Sequence, residues 1–578
     1  MSDMKENHDY KDTNSDIVYS TAKGHITKIK FNSGEELEIQ KNDIVIFVGP
    51  NNAGKSQSLT DLYNLARNKI PTVVISDIVV SKEGNLKQLL TATSVEYSDG
   101  SSLQYSALNH SVSYYKEYSE QNFISNHYYG EYRDWFVVKL DTMTRLSICS
   151  PAQSIKRDEV KSNPIHYAAF DKKYRQWLST CFKKAFGIEM TPNILFGSVI
   201  PLCLGKAVHL DGEYGDEQER QEAYADILAN YKQVQDQGDG IKSFTGILLN
   251  LMLDYYCTYL IDEPESFLHP PQARIMGQII GQTLSDTQQA FVSTHSEDVI
   301  KGLLEICPDR LKIIRITRQD NINKFSVLDN QKVKEVFGDP LLKHSNIMSS
   351  LFHKTVVLCE SDSDCKLYSV VENHMKQEEG KYSETLYLHC GGKQRMPRIA
   401  AALIALGIDV RLIPDIDIMN DEAVFKDVVE TFGIDWDNIQ TDYNIIVSNL
   451  HSDKEKIIRR DAKTTINRIL DEKENIELSK KEISSICNAI RTISKWERIK
   501  REGEAAIPSG DATNAYKRLK QELINHRIFL VPVGELEGFI KEIGGHGPNW
   551  VNDVLENYAD LNSNVYDKVR EFIKEINL

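Results

Sequence analysis

The run Ile44-Val45-Ile46-Phe47-Val48 leads without a break into Gly49-Pro50-Asn51-Asn52-Ala53-Gly54-Lys55-Ser56, and then into SLTDLYNLARNK at 58–69. Consecutive apolar residues with no polar alternation predict a strand covered on both faces, as in a parallel sheet. The segment after it fits G-x-x-x-x-G-K-S and opens a helix-like stretch, the context in which that pattern has a mechanism. Its glycines let backbone N–H groups wrap phosphates, Lys55 supplies a cation to the terminal phosphates, and the Ser56 hydroxyl suits Mg²⁺. Gly49, Asn51, Asn52, Gly54, Lys55 and Ser56 are therefore the expected nucleotide contacts.

Working outward from this loop, a polar tail occupies residues 1–16, and Gly24 to Ile39 reads as a hairpin turning at Asn32-Ser33-Gly34. Residues 81–231 are mixed and aromatic-rich without a namable motif, and read as an insertion. Order returns with a helical run at Phe244 to Tyr255, a strand at Cys257 to Ile261, a helix at Pro271 to Leu284, and strands at Ala290 to Ser293 and Leu311 to Thr317. The Cys257 strand ends in Asp262-Glu263. Paired carboxylates there predict a Mg²⁺ shell held by Asp262 and an attacking water oriented and deprotonated by Glu263.

A second alternating block starts at Lys354, which puts a domain boundary near Leu342 to His353. Its strands, Thr355 to Cys359, Val410 to Pro414 and Arg527 to Val533, end in Glu360, in Asp415-Ile416-Asp417 and in Gly534-Glu535-Leu536-Glu537, and Asp364 follows the first. An open α/β sheet forms its ligand crevice at those strand ends, so three acidic clusters converge. Oxygen donors of this kind suit two Mg²⁺ or Mn²⁺ ions and phosphodiester cleavage. A charged, helix-forming stretch, about 451–525, interrupts the block and reads as a solvated helical pair.

Composition sets the outer limits. With 84 acidic against 68 basic side chains and a net charge of −16, any contact with a nucleic acid must be focused in a local basic groove. Nine scattered cysteines without a C-x-x-C pair indicate neither a disulfide framework nor a zinc ribbon and fit a reducing compartment. No apolar stretch reaches membrane-span length, so the expectation is a cytoplasmic protein with no membrane partner.

These motifs carry a resemblance. Asp262-Glu263-Pro264-Glu265 with Leu268-His269-Pro270, followed by Ser293-Thr294-His295-Ser296, resembles the ABC-type ATPase heads of the RecF, SMC and OLD group. That likeness implies ATP as ligand with its own Mg²⁺, His295 as the switch histidine at the γ-phosphate, and Glu265 to His269 as a loop meeting a second head. Gln237 to Phe244 looks like the G-x-G form of the signature loop. Through Gly240 and Ser243 it would serve ATP sandwiched in a homodimer or higher homo-oligomer.

The strand-end Glu360, the D-x-D at Asp415 and Asp417, and the loop His389-Cys390-Gly391-Gly392-Lys393 resemble the Toprim fold. An ABC head first, Toprim second, then E-L-E looks like the OLD (overcoming lysogenisation defect) family, including effectors of Gabija and retron anti-phage systems. The resemblance implies an ABC-type head over 17–349, whose insertion at 81–231 serves dimerisation, and a Toprim nuclease domain over 350–578. It implies a Mg²⁺-dependent DNA endonuclease in which Glu360 and Asp364 bind one or both metals, Asp415 and Asp417 take the bridging position, and Glu535 and Glu537 complete the shell of the second metal. Lys568 would neutralise the transition-state phosphate, with Lys541 and Lys574 as its competitors. Ser361 stands where the family usually has glycine. The partner would be a reverse transcriptase with its multicopy DNA in a retron, or a helicase in a Gabija-type system. A second reading is a DNA-repair ATPase of the RecF/SMC type whose Toprim-like domain binds DNA without cutting it.

Overall fold

Strand β1 (Ile44–Val48) is buried at every residue, as an unalternating apolar run demands. In this computed structural model it lies inside a six-stranded sheet with β2 (Val137–Leu140), β3 (Thr258–Asp262), β4 (Gln289–Ser293), β5 (Leu311–Gln319) and β6 (Ile322–Leu328), in the order β6-β5-β1-β4-β3-β2. Every neighbouring pair is parallel except β5 with β6. The structure describes residues 21–98, 103–107, 110–206, 216–253, 256–319, 322–328, 331, 333, 346–451, 459–470, 477–478, 483, 486–487 and 495–577. The polar tail 1–16 and most of the charged stretch from 452 to 494 lie outside the described residues.

The chain divides into two units, Met1–Glu335 and Val336–Leu578, slightly before the boundary expected between 349 and 350. In the first, the hairpin is present: Lys23–Phe31 pairs antiparallel with Glu36–Glu38 and also with Ile75–Glu83. Gln289, fully buried, joins this small sheet to the large one, accepting from Ile26 N–H (2.7 Å) and Thr258 Oγ1 (3.0 Å) and donating to Ile26 O (3.1 Å).

The stretch 81–231 is not simply inserted. It supplies β2, which pairs parallel with β3 and extends the central sheet, and after it the short helix Thr142–Ser147, which packs on the helix Asp239–Leu251. Single strands of four residues leave too little periodicity to be read from sequence. The remainder holds an antiparallel sheet of Val95–Ser98, Leu103–Ala107 and His110–Tyr114 and helices such as Lys172–Phe186.

In the second unit β7 (Thr355–Cys359), β8 (Thr385–His389) and β9 (Asp409–Ile413) form a parallel sheet in the order β8-β7-β9. Both units are thus α/β. The expected strand Arg527 to Val533 is instead an extended segment beside β9 with a single formal bridge, Leu412 to Ile528. Its hydrogen bonds run at alternate residues, Leu412 N–H to Arg527 O, Phe529 N–H to Leu412 O and Val531 N–H to Pro414 O. The chain then turns at Pro532 and Val533, and the next bond between the two segments is Ile416 N–H to Gly534 O at 3.3 Å.

The helix after the glycine-rich loop, α1 (Lys55–Leu65), is tied down by Asp61. This buried carboxylate accepts N–H bonds from Val73 (3.1 Å), Val74 (2.6 Å) and Ile75 (3.0 Å). Asp61→Ala orphans three backbone donors, and thermal and denaturant unfolding should show a loss on the order of 3 kcal/mol; an unchanged midpoint would refute this account of the loop's anchoring.

Candidate functional sites in the two units

In the first unit the loop Gly49 to Gly54 leaves the end of β1 and enters α1. Gly49 sits at φ 140°, and a Cβ there would lie 2.0 Å from Ile316 O, so only glycine fits. No side chain caps the N-terminus of α1, which leaves it suited to an anion. Asn51, Asn52 and Ser56 are exposed. Lys55 is buried, and its ammonium donates to Gly49 O (2.9 Å) and Pro50 O (2.8 Å). Burial brings its pKa down to about 8 against the opposing pull of Glu263, Glu265 and Asp262.

The ends of β3 and β4 bring the other expected residues to the same edge. Ser293 Oγ donates to Asp262 Oδ1, and Glu263 N–H donates to Ser293 O at 2.9 Å. Glu263 has φ 45°, a left-handed conformation unusual for its type. Its carboxylate lies 3.5 Å from His295 Nε2 and accepts from Ser266 Oγ at 3.2 Å. His295 N–H donates to Glu265 Oε1 at 2.7 Å. Burial and the nearby Lys55 lower the imidazole pKa, whereas burial raises that of Glu265.

Sequence reasoning missed Arg145, which is fully buried. Its guanidinium Nη1 donates to the backbone oxygens of Asp262 and Glu263. It belongs to a stretch read as insertion, and one arginine carries no local signal. Ser243 needs correction. It is fully buried within its own unit, because its helix, Asp239–Leu251, buries every residue from Ser243 onward, and so it cannot be offered to a facing subunit. Gly240, in the first turn, packs on the backbone of Phe267, where a Cβ would lie 2.5 Å from the carbonyl oxygen.

In the second unit the acidic residues gather where the parallel strands end. Glu360, Asp415 and Asp417 form one group and Glu535, Glu537 and His546 another; in each, one donor atom per residue lies within 4.8 Å of the others. Glu360, Asp364, Asp415, Glu535, Glu537 and His546 line a single cleft of about 160 Å³. Asp364 is committed in part elsewhere: its Oδ2 accepts Ser361 N–H at 2.8 Å in a capping box on the helix Asp362–Glu378. Ser361, in the place of the usual glycine, is that N-cap. His546 escaped the sequence reading, since a lone histidine among glycines has no ligand spacing.

Two lysines approach these carboxylates. Lys393 Nζ lies 3.6 Å from Asp417 Oδ1, and Lys500 Nζ lies 3.9 Å from Asp417 Oδ2 and 3.7 Å from Glu535 Oε2. Lys500 comes from the helix Lys495–Glu502, the end of the charged stretch read as solvated. Trp496 and Ile499 bury one side of that helix, and Gly534 admits its backbone, a Cβ there falling 2.2 Å from Lys500 O. Lys568 is not brought to the cleft. Val569, Phe572 and Ile573 sink the other face of its helix, Asp567–Ile576, into the core, leaving Lys568 exposed in a separate cavity with Val533, Phe539, Glu571 and Lys574.

The donor set tests for metal. It is oxygen with one imidazole, which suits a hard divalent cation, and Glu360 Oε2 is buried without a hydrogen-bond partner. Burial first, then neighbouring carboxylates, raise Asp415 well above the usual range, and Glu360, Asp364 and Glu535 are raised chiefly by burial. Groups raised on folding contribute stability at low pH and lose it as pH climbs through their folded values. The metal-free protein should therefore lose stability as pH rises from the ordinary carboxylate range toward neutrality. Mn²⁺ or Mg²⁺ should raise its melting temperature at pH 7.5 but not at pH 5, and a metal-induced shift of equal size at both would contradict this charge state.

No family model matches the chain. The Old nuclease of Escherichia phage P2 is 21% identical to it over 331 residues, which are 55% of this chain and 49% of that protein; the chain thus spans about half the length of this curated relative. Among solved structures, an Smc head with the C-terminal domain of ScpA from Pyrococcus furiosus covers 55% of this chain and 99% of its own at 13% identity and TM-score 0.31. The SMC head domain from Thermotoga maritima covers 53% and 99% at 11% identity and TM-score 0.27. At such scores two folds overlay only in part. Among the described residues no helix is long and apolar enough to cross a membrane. In the order of its motifs, and in its likeness to the phage P2 nuclease, this chain resembles the OLD family.

Proposed function

We propose that this chain is an ATP-hydrolysing, metal-dependent DNA endonuclease of OLD type, with an ABC-type head in the first unit and a Toprim nuclease domain in the second. The observation that carries the reading is the pair of acidic groups, Glu360/Asp415/Asp417 and Glu535/Glu537/His546, at one sheet edge in a chain that also holds a glycine-rich loop and a strand-end carboxylate pair. A domain that only grips DNA has no use for repelling carboxylates, which disfavours the non-cleaving repair ATPase.

Divalent cations bound there would activate the attacking water and stabilise the leaving oxygen. Glu360, Asp415 and Asp417 would hold one, and Glu535, Glu537 and His546 the other, with Asp364 at the margin. Negative charge builds on the non-bridging oxygens during cleavage, and a fixed cation there favours the transition state over the ground state. Lys500 takes that role in place of Lys568, since its ammonium already lies within 3.9 Å of a carboxylate in each group. In the head, Lys55 and the loop amides would bind the ATP phosphates, Ser56 and Asp262 the accompanying Mg²⁺, and Glu263 the attacking water. His295, with its proton affinity lowered, would donate a hydrogen bond to the γ-phosphate as a neutral imidazole. The loop at Gly240 would face a second copy, giving a head dimer.

The likeness to retron and Gabija effectors makes anti-phage defence in the cytoplasm the proposed setting, with a reverse transcriptase and its multicopy DNA or a helicase as partner. A neighbouring reverse-transcriptase gene would select the retron.

Purified protein should nick or cut DNA with Mg²⁺ or Mn²⁺, and Glu360→Ala or Asp415→Ala should abolish this while ATP binding persists; wild-type cutting by either variant rejects the site. Under single-turnover conditions Lys500→Ala should slow cleavage at least ~10-fold, on the order of 1.4 kcal/mol, with Lys568→Ala near wild type; the reverse ranking would restore Lys568. Lys55→Ala should weaken ATP binding, and Glu263→Gln should keep binding but cut hydrolysis by roughly 100-fold. Equal turnover by wild type and Glu263→Gln would remove Glu263 as base.

A further inference from the structure

Arg145 is fully buried, in the helix Thr142–Ser147. A buried guanidinium is costly unless it is paired or hydrogen-bonded, and this one uses the forked geometry that distinguishes arginine from lysine. Nη1 donates to the carbonyl oxygens of Asp262 and, at 3.2 Å, Glu263; Nη2 donates to Thr142 Oγ1 at 3.3 Å. The two carbonyls belong to the residues whose carboxylates face Lys55 and His295, and Glu263 sits there at φ 45°. A non-glycine residue keeps such a conformation only where its surroundings hold it.

Through its own backbone the same residue touches the helix Asp239–Leu251 behind Gly238 and Gly240, the glycine-loop helix. A Cβ on Gly246 would lie 2.2 Å from Arg145 O, so the helix Asp239–Leu251 and the helix of Arg145 meet main chain to main chain. Cys149 Sγ, one turn further, donates to Lys242 O at 3.1 Å and to Arg145 O at 3.5 Å. Arg145 is thus fixed at one end to the helix that begins with Gly238 and Gly240, and at the other to the backbone of the carboxylate pair.

We propose that Arg145 is a positioning residue that ties the glycine-loop helix to Glu263, so that the placement of that helix sets whether the Glu263 carboxylate stands ready for hydrolysis. This rests on the reading of the first unit as an ATPase. It makes hydrolysis responsive to whatever engages the glycine loop, and in a head dimer that is the second copy's nucleotide.

The test compares ATP hydrolysis and binding of a fluorescent ATP analogue by the full-length wild type, Arg145→Lys, Arg145→Gln, Thr142→Ala and Glu263→Gln. Lysine keeps the charge without the fork; glutamine donates to one carbonyl without burying a charge, and serves if the lysine variant does not fold. In a folded variant kcat should fall at least ~10-fold while KM for ATP and analogue affinity stay within about twofold, and Thr142→Ala, which removes the Nη2 partner but leaves both carbonyl bonds, should lower kcat less than either Arg145 variant. Because Arg145 acts through Glu263, Arg145→Gln should add no further loss to Glu263→Gln. Normal kcat in both Arg145 variants, additive losses, or parallel changes in kcat, KM and melting temperature overturn the proposal. If Glu263→Gln is slow while Arg145→Gln is normal, the coupling fails alone; if wild type and Glu263→Gln turn over equally, Glu263 is not the base and the coupling loses its target; if wild type hydrolyses no ATP, the ATPase reading fails with it.

Discussion

Carboxylates drawn together and partly removed from water repel one another, and each unit sets cations from neighbouring elements against that repulsion. In the first unit Asp262, Glu263 and Glu265 act on Lys55 and Arg145, both buried. In the second, Glu360, Asp415, Asp417 and Glu535 act on Lys500, and Lys393 lies beside Asp417. The parallel sheet creates the problem in both places, because parallel strands end on one edge and bring their terminal residues side by side.

Getting a cation to such an edge requires a close approach of backbones. Gly534 lets the helix of Lys500 rest on the segment that leads into Glu535, and Gly246 lets the helix of Arg145 rest on the glycine-loop helix. Neither glycine belongs to a recognisable motif. Each acts by lacking a Cβ, and a larger residue at either position would push the cation away from the carboxylates it offsets.

This explains what could be read in advance. The strands β1, β3, β4, β5, β7 and β9 were legible as apolar runs, and Lys55, Asp262, Glu263, Glu360, Asp415, Asp417, Glu535 and Glu537 stood out because strand ends carry a local pattern. Val137–Leu140 was not, being four residues within an irregular stretch, although its pairing with Thr258–Ile261 completes the sheet edge. Arg145, Lys500 and His546 reach their sites by tertiary packing alone, and nothing within a few residues of them signals it. Ser243 and Lys568 show the converse. Ser243 lies beside a motif in sequence, and Lys568 was matched by resemblance far from any motif; the apolar face of each helix turns Ser243 into the core and carries Lys568 to a different cavity.

The two compensations differ in kind. Arg145 keeps its charge at any physiological pH and is held by main-chain oxygens, so the geometry of the first unit is built in. Lys500 is partly exposed and stands near 4 Å from its partners, a distance at which solvent screening leaves a weak interaction. Asp415 stays raised beside it, so the repulsion that remains in the second unit is relieved by a proton held on the cluster or, on the reading proposed above, by a cation from solution. On the proposed reading, a site whose own lysines leave its carboxylates under-compensated is one whose charge balance follows the divalent cation it binds.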